Sequence, residues 1–146
     1  MTVTNTTFTR GIGYEGVAIY CDQLSLLIMR NSLIEHSLSE KGGLTAFQAG
    51  YLDIQNCTFN SNIGIYADLD ITESFNPSRL IGNTFLNGRG AVLLSKTSSI
   101  EISNCSVSNY ESLSDPIFDF DDNPLFSLSH STFSEITARN VIRVTG

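Results

Sequence analysis

Residues 52–62 read LDIQNCTFNSN, and the pattern in this stretch decides the fold. Apolar and polar residues alternate through its first four positions, which is typical of a β-strand with one buried face. Small polar residues then follow around Asn56, and a cluster of this kind is typical of a turn. The stretch therefore predicts a strand, a corner and a second strand, with Ile54, Cys57 and Phe59 pointing inward.

The same formula occurs six times along the chain. Its copies are VTNTTF (3–8), IMRNSL (28–33), IQNCTF (54–59), LIGNTF (80–85), ISNCSV (102–107) and LSHSTF (128–133). The last residues of the copies are predicted to form a core stack of Phe8, Leu33, Phe59, Phe85, Val107 and Phe133. The small neutral residues two positions earlier are predicted to form a polar ladder of Thr6, Asn31, Cys57, Asn83, Cys105 and Ser131. A second predicted strand follows each copy, at residues 16–20, 43–47, 64–69, 90–94, 116–120 and 140–144.

The copies lie 22 to 26 residues apart, and this period favours a solenoid. A propeller blade needs about 40–45 residues, and a leucine-rich repeat needs a leucine scaffold and a helical side that are missing here. Residues 23–38 have a composition that also suits a helix, but Ile28, Asn31 and Leu33 align with the other copies. We therefore predict an all-β parallel β-helix of about six coils, with equivalent strands about 4.8 Å apart. Equivalent side chains then stack, and the amides of the polar ladder are expected to bond their neighbours above and below.

Composition limits the possible partners. The chain has 146 residues and a net charge of -7, a length that fits one domain, so residues 1–146 are predicted to be a single β-helix segment. It lacks the basic stripe of a nucleic-acid-binding protein, and its acidic balance also disfavours an anionic membrane surface. Its longest apolar runs, such as residues 24–29, are too short to span a bilayer.

The three cysteines are an odd number, which disfavours a closed disulfide framework. Cys57 and Cys105 belong to the same lane but lie two coils apart, which is about 10 Å at the usual strand spacing. Because a disulfide needs Cα atoms within about 7 Å, these two thiols are predicted to be free. Cys21 follows a different strand.

The repeats resemble the right-handed β-helix of the pectin-lyase-like superfamily. The resemblance covers nearly the whole chain and is carried by LDIQNCTFNSN (52–62), LIGNTFLNGRGAVLL (80–94) and IEISNCSVSN (100–109). The stretches 59–62 and 90–92 are also similar to the FxxN and GGAI elements of surface proteins of the polymorphic outer-membrane type. The resemblance implies a right-handed coil, but the superfamily includes lyases, hydrolases, adhesins and tail fibres, so it implies no single activity.

The ends of the sequence show no recognisable cap, since the first copy begins in mid-pattern and the last ends at VIRVTG. A solenoid needs caps, because a terminal coil otherwise exposes backbone donors and apolar side chains. The expectation is either a segment of a longer protein or copies of the chain that stack end to end into a filament. Both favour a structural or adhesive protein at the cell surface or outside the cell, without a cofactor.

An alternative is a polysaccharide-active lyase or hydrolase that uses Asp119, Asp121 and Asp122. Two carboxylates at a suitable separation can hydrolyse a glycosidic bond. The hydrolase pattern of the superfamily also contains a Gly-His-Gly and an Arg-x-Lys on successive coils, and this chain has neither. Acidic residues at turns also keep a rod of low charge soluble, and the sequence DFDDN (119–123) suits a turn better than a calcium site.

A third possibility is a carbohydrate-binding β-helix without catalysis, in which Tyr66, Phe75 and Tyr110 are predicted to be the exposed aromatic residues. His36 and His130 have no cysteine or histidine at ligand spacing, so no metal site is expected.

Three N-glycosylation sequons begin at Asn5, Asn56 and Asn104, and all three are predicted to lie at the same corner of the coil. If Cys57 and Phe59 point inward, the asparagine and the hydroxyl residue of the sequon point outward. The same lane is expected to contain Arg30, Gly82 and His130. These asparagines are therefore glycosylation candidates if the protein enters a eukaryotic secretory pathway, although asparagine is also an ordinary corner residue.

Overall fold

A computed structural model describes residues 1–23, 26–40 and 43–146, without the side chain of Phe47. Within this part of the chain all regular secondary structure is β-strand. The strands are β1 (Thr2–Thr4), β2 (Thr7–Thr9), β3 (Ile12–Gly13), β4 (Ile19–Asp22), β5 (Leu26–Arg30), β6 (Leu33–Glu35), β7 (Leu38–Ser39), β8 (Leu44–Phe47), β9 (Tyr51–Gln55), β10 (Thr58–Asn60), β11 (Ile63–Thr72), β12 (Ser78–Ile81), β13 (Thr84–Leu86), β14 (Arg89–Lys96), β15 (Ile100–Ser103), β16 (Ser106–Ser112), β17 (Phe118–Asp121), β18 (Phe126–Ser129), β19 (Thr132–Ala138) and β20 (Ile142–Thr145). Their pairings are parallel, which confirms the predicted parallel solenoid.

The coils build a prism with three faces. Face A is the sheet β1-β5-β9-β12-β15-β18. Face B is formed by β2, β6, β10, β13, β16 and β19. Face C is formed by β4, β8, β11, β14, β17 and β20. The short strand β3 pairs with β7, and β7 pairs with the start of β11, between faces B and C. Each coil thus passes through faces A, B and C in turn, and the described residues form six coils.

A single residue in the left-handed region turns the chain at each corner, with φ between 48° and 66°. Corner 1, between faces A and B, contains Asn5, Asn31, Asn56, Gly82, Asn104 and His130. Corner 2, after face B, contains Arg10, His36, Ser61, Asn87, Asn109 and Glu135. Corner 3, after face C, contains Gln23, Gln48, Glu73, Thr97 and Asp122. Glycine and asparagine adopt this conformation at the least cost, which explains why four of the six corner 1 residues are asparagine and one is glycine.

Stacked side chains fill the interior. The rings of Phe59 and Phe85 lie parallel in successive coils, with centroids 4.8 Å apart. Val107 and Phe133 continue the same lane on face B, since Phe85 pairs with Val107 and Val107 pairs with Phe133. Phe8 is the lane member of coil one and is half-buried.

In the second coil the predicted alignment is wrong by one residue. Ile34, not Leu33, pairs with both Phe8 and Phe59, and Ile34 is fully buried. Leu33 pairs with Thr7 and Thr58 on the outside and is half-buried. Because side chains alternate between faces, a slip of one residue exchanges the inner and outer sets of a strand.

The same correction applies to the rest of this coil. Met29 replaces Ile28 in the aliphatic lane. Ser32 replaces Asn31 in the polar ladder, because Asn31 is the left-handed residue of corner 1, where Arg30 was expected.

The polar ladder joins side chains to backbone groups, whereas bonds between neighbouring side chains were expected. The carbonyl oxygen of the Asn83 side chain accepts a hydrogen bond from the backbone N–H of Cys57 at 2.9 Å. The amide of Asn83 donates to the backbone carbonyl of Ile54, also at 2.9 Å. At other coils a hydroxyl takes this place, since Thr6 N–H donates to Ser32 Oγ and Cys105 N–H donates to Ser131 Oγ, each at 3.2 Å.

The other two corners contain equivalent asparagines that the sequence analysis did not single out. Asn62 accepts from Ser37 N–H at 3.0 Å and donates to the carbonyl of Ile34 at 3.1 Å. Asn123 accepts from Ser98 N–H at 3.0 Å and donates to Ser95 Oγ at 3.1 Å. In all three arrangements the asparagine bonds two polar groups of the preceding coil that belong to residues three positions apart, as in Cys57 and Ile54. Each corner is therefore fastened to the coil before it without a cross-link, and Cys21, Cys57 and Cys105 are all free thiols.

Candidate functional site

The outer surface of face C brings four side chains into one lane. Tyr20 pairs with Thr45, and Thr45 pairs with Asp70. Asp70 in turn pairs with Leu94. These side chains are successive members of one lane because they occupy the same position in four successive coils. This lane was not predicted from the sequence, because the repeat pattern sets the residue-by-residue alignment of the first strand of each repeat but only the location of the second.

A cleft of about 480 Å³ lies along this lane, and we call it the groove. Tyr66 and Tyr20 contribute partly exposed aromatic rings, with 44% and 48% of their surfaces accessible. The remaining lining residues are mostly polar and include Glu15, Thr45, Asp70, Thr72 and Lys96. A groove with two aromatic rings and several hydroxyl, carboxylate and amino groups is a typical small-ligand site.

Hydrogen bonds hold the groove residues in place. Gly16 N–H donates to Thr45 Oγ1 at 3.1 Å, which fixes the loop before β4 to the groove floor. Thr72 Oγ1 donates to Asp70 Oδ1 at 3.0 Å. Lys96 Nζ lies 3.9 Å from Asp121 Oδ2, at the end of the groove nearer coil five. The polar lining is therefore ordered before any ligand binds.

Tyr66 reaches the groove because β11 is irregular. The pairing of β11 with β14 shifts between Ile63 and Ala67, so the chain bulges outward there. Gly64 permits the bulge, since a Cβ at this position would lie 2.8 Å from the backbone oxygen of Ala67. The backbone N–H of Tyr66 donates to the carbonyl of Glu40 at 3.0 Å and anchors the bulge to coil two.

An exposed apolar strip adjoins this bulge. Ile12, Leu38 and Ile63 pair in register, and 81%, 48% and 49% of their surfaces are accessible. Ile65, in the bulge itself, is also exposed. A contiguous exposed apolar patch is characteristic of an interaction surface.

The carboxylates of the enzymatic alternative lie outside the groove lining. Both oxygens of Asp119 accept hydrogen bonds from the guanidinium of Arg143, and the Asp119 side chain is only 7% exposed. Asp121 faces Lys96 and accepts a bond from Thr145 Oγ1 at 2.8 Å. Asp122 is the exposed left-handed residue of corner 3. Asp119 and Asp121 share the outer surface of β17, but a cation faces each of them.

The aromatic residues predicted for sugar binding have different environments. Tyr66 lines the groove, and Phe75 is 64% exposed at a turn after β11. Tyr110 was expected to be exposed, but it is buried, with 2% of its surface accessible. Its hydroxyl donates a hydrogen bond to the carboxylate of Asp68 inside the prism. Burial raises the pKa of Asp68 to about 7 despite this bond, and burial together with Asp68 raises the pKa of Tyr110.

The remaining candidates lie apart from the groove. Asn5, Asn56 and Asn104 are exposed at corner 1, and His36 and His130 are exposed left-handed corner residues. Among the described residues, no cluster of three histidine, cysteine or acidic side chains is arranged to bind a metal. In the same part of the chain no helix has the length and apolar character to span a membrane.

Comparison with known proteins identifies the fold. The family model described as a right handed beta helix region matches residues 1–140. Comparison with curated proteins and with solved structures gives no match.

Proposed function

Because the chain belongs to the right-handed β-helix family, we propose that it is an extracellular adhesive module that binds a carbohydrate chain in the groove without cleaving it. The two tyrosines of the groove carry this proposal. A tyrosine ring offers an apolar surface to the C–H face of a sugar ring and a hydroxyl to its polar edge. Tyr20 lies in coil one and Tyr66 in coil three, so the two rings are spaced along the axis of the solenoid. A linear carbohydrate chain that runs along this axis could contact both.

The polar groups around the rings suit sugar hydroxyls. Thr72 contributes a hydroxyl oxygen that can still accept while its proton is donated to Asp70, Asp70 contributes acceptor oxygens and Lys96 contributes donors, whereas Thr45 is 4% exposed and forms the groove floor. This mixture matches a sugar chain, whose free hydroxyl groups both donate and accept hydrogen bonds. The apolar strip of Ile12, Leu38 and Ile63 extends the contact surface beside the groove.

The ion pairs of the acidic residues support binding over catalysis. A glycosidase needs one carboxylic acid that gives up a proton and one carboxylate that attacks or activates water. Arg143 occupies both oxygens of Asp119, and Lys96 and Thr145 face Asp121. An enzyme of lyase or hydrolase type therefore remains the second candidate, with these aspartates as its residues.

A structural role fits the same architecture. Val3, Phe8, Phe126 and Phe133 are only partly buried against the core, so a further coil would complete their packing. We include in the proposal that such a coil comes from more of the same solenoid or from a second copy stacked end to end. The sequons at corner 1 support an extracellular location.

The test is a binding screen on a glycan array, followed by calorimetric titration of the best ligand. Tyr20→Ala and Tyr66→Ala should each weaken binding about tenfold or more, which corresponds to about 1.4 kcal/mol. Tyr14→Ala is the control, because Tyr14 is 58% exposed, more than either groove tyrosine, but does not line the groove.

The proposal fails if the two groove variants bind as tightly as the unmodified protein. Appearance of cleavage products that Asp121→Asn abolishes would instead establish the enzymatic alternative.

A further inference from the structure

Corner 1 places the three sequon asparagines in one straight lane. The backbone N–H of Asn5 donates to the carbonyl of Arg30, that of Asn56 to Ile81 and that of Asn104 to Ser129. Each asparagine thus takes the same place relative to the next coil. They belong to coils one, three and five, and Asn31, Gly82 and His130 occupy the lane in coils two, four and six.

The amides of these three asparagines are available. All three side chains are exposed, and within the described part of the chain none of their amides takes part in a hydrogen bond. The contrast is with Asn83, whose amide is buried and bonded to the preceding coil. An asparagine that accepts a bulky modification must have an exposed and unbonded amide, because the substituted nitrogen has to point into solvent.

The hydroxyl residue of each sequon lies on the outer surface of face B. Thr7 is exposed, and Thr58 and Ser106 are half-buried. Thr7 and Thr58 both pair with Leu33, and Thr84 pairs with both Thr58 and Ser106, so the three hydroxyls form a second lane parallel to the asparagines.

The spacing leaves room for one oligosaccharide at each position. Alternate coils lie about 10 Å apart at the usual strand separation. In coil four the lane contains Gly82, where a Cβ would lie 2.4 Å from Oδ1 of Asn56. The Asn56 side chain therefore lies against Gly82, which has no side chain to obstruct it.

We propose that corner 1 is a glycosylated edge carrying N-linked oligosaccharides on Asn5, Asn56 and Asn104. The donor is a lipid-linked oligosaccharide pyrophosphate, and the catalyst is a membrane oligosaccharyl transferase. The amide nitrogen bonds to the anomeric carbon, the bond from that carbon to the pyrophosphate oxygen breaks, and the amide loses one proton while the lipid pyrophosphate leaves. The modification consumes no oxidant or reductant.

This edge lies across the prism from the groove. Corner 1 joins faces A and B, and the groove lies on face C, the third side. Oligosaccharides on the edge therefore extend away from the groove and cover faces A and B near their junction. The inference concerns a different surface from the groove and does not depend on carbohydrate binding there.

The experiment directs the whole chain into the secretory pathway of a eukaryotic cell through an added signal peptide. The chain is recovered from the cell lysate, and its peptides are weighed before and after peptide N-glycosidase treatment. Each of the three asparagines should be modified in more than half of the molecules. Asn5→Gln, Asn56→Gln and Asn104→Gln should each remove one oligosaccharide and leave the other two.

Leu33→Thr is the matched gain variant, because it places a threonine two residues after Asn31 in the same two lanes. Because Asn31 lies only about 4.8 Å from the lane positions of Asn5 and Asn56, the variant is combined with Asn5→Gln and Asn56→Gln, and Asn31 should then carry an oligosaccharide. The native glycoprotein should also release all its oligosaccharides to the enzyme without a denaturant, since the edge faces solvent. Modification of fewer than half of the molecules at Asn56 or Asn104, or release only after denaturation, would overturn the proposal.

Discussion

Tyr110 of coil five donates a hydrogen bond to the carboxylate of Asp68 in coil three, across the whole of coil four. Gly88 makes this contact possible, because a Cβ at this position would lie 2.1 Å from Cζ of the Tyr110 ring. The tyrosine passes through the space that a side chain would occupy in coil four. Two polar groups separated by 42 residues are thus joined in the interior of a solenoid.

Asp68 is expected to make the protein less stable as the pH rises. Its pKa is about 7 in the folded protein and 3.8 in its ordinary state, so folding favours the protonated form. The stabilisation is complete below about pH 3.8 and is lost as the pH rises through 7. Asp68→Asn keeps an acceptor for Tyr110 but cannot ionise. The free energy of unfolding of the unmodified protein should fall by on the order of a few kcal/mol between pH 4 and pH 8 through Asp68, and the Asp68→Asn variant should not show this fall.

The measurement is urea unfolding at several pH values, with Asp122→Asn as the control. Asp122 is exposed at corner 3, where asparagine suits the left-handed backbone. The control should follow the pH profile of the unmodified protein. If Asp68→Asn also follows that profile, Asp68 does not titrate near neutrality.

Gly88→Ala should destabilise the fold by displacing the Tyr110 ring. Overpacking of this kind costs about 1–3 kcal/mol. The backbone of Gly88 is outside the left-handed region, so the effect is steric. A double-mutant cycle with Tyr110→Ala tests the cause by urea unfolding, because Gly88→Ala should cost much less once the ring is gone. Additive free-energy changes in the cycle would contradict the contact.

Asn83→Ala should cost about 1–3 kcal/mol, because it leaves the buried N–H of Cys57 without its partner and removes the bond from the Asn83 amide to the carbonyl of Ile54. Asn140→Ala is the control, since the Asn140 side chain is exposed and makes no hydrogen bond within the described residues. Its effect should stay within about 0.5 kcal/mol. Thermal or urea unfolding measures both, and equal effects would contradict the role of the buried asparagine.

The register of coil two can be tested with a matched pair of variants. Ile34→Ala should cost about 2–5 kcal/mol, because Ile34 is fully buried between Phe8 and Phe59. Leu33→Ala should cost much less, because Leu33 lies half-buried on the outer surface of face B. Urea unfolding compares the two, and a larger loss for Leu33→Ala would restore the register that the sequence first indicated.

The repeat could be predicted because stacking imposes like residues on equivalent positions. Phe59 and Phe85 illustrate this, since they occupy equivalent positions in successive coils and their rings stack on each other. The register of coil two could not be predicted, because Leu33 and Ile34 are both aliphatic and only the corner at Asn31 distinguishes them.

The groove and the interior pair escaped prediction for different reasons. Tyr20 and Asp70 share a lane on the second strands, whose lengths vary from coil to coil. Tyr110 fits the alternating pattern of an ordinary strand residue. Its side chain nevertheless reaches across coil four to coil three, which is possible only because Gly88 has no side chain. A contact that skips a coil has no signature in a repeat pattern.

The bond between Tyr110 and Asp68 also bears on how the rod comes apart. In an ordinary solenoid each repeat touches only its neighbours, so coils can fray one at a time from either end. Here the loss of coil five deprives the buried carboxyl of Asp68, in coil three, of the hydrogen bond that the Tyr110 hydroxyl donates. Coils three to five should therefore open together, as one cooperative block, while coils one, two and six exchange their amide hydrogens at lower cost.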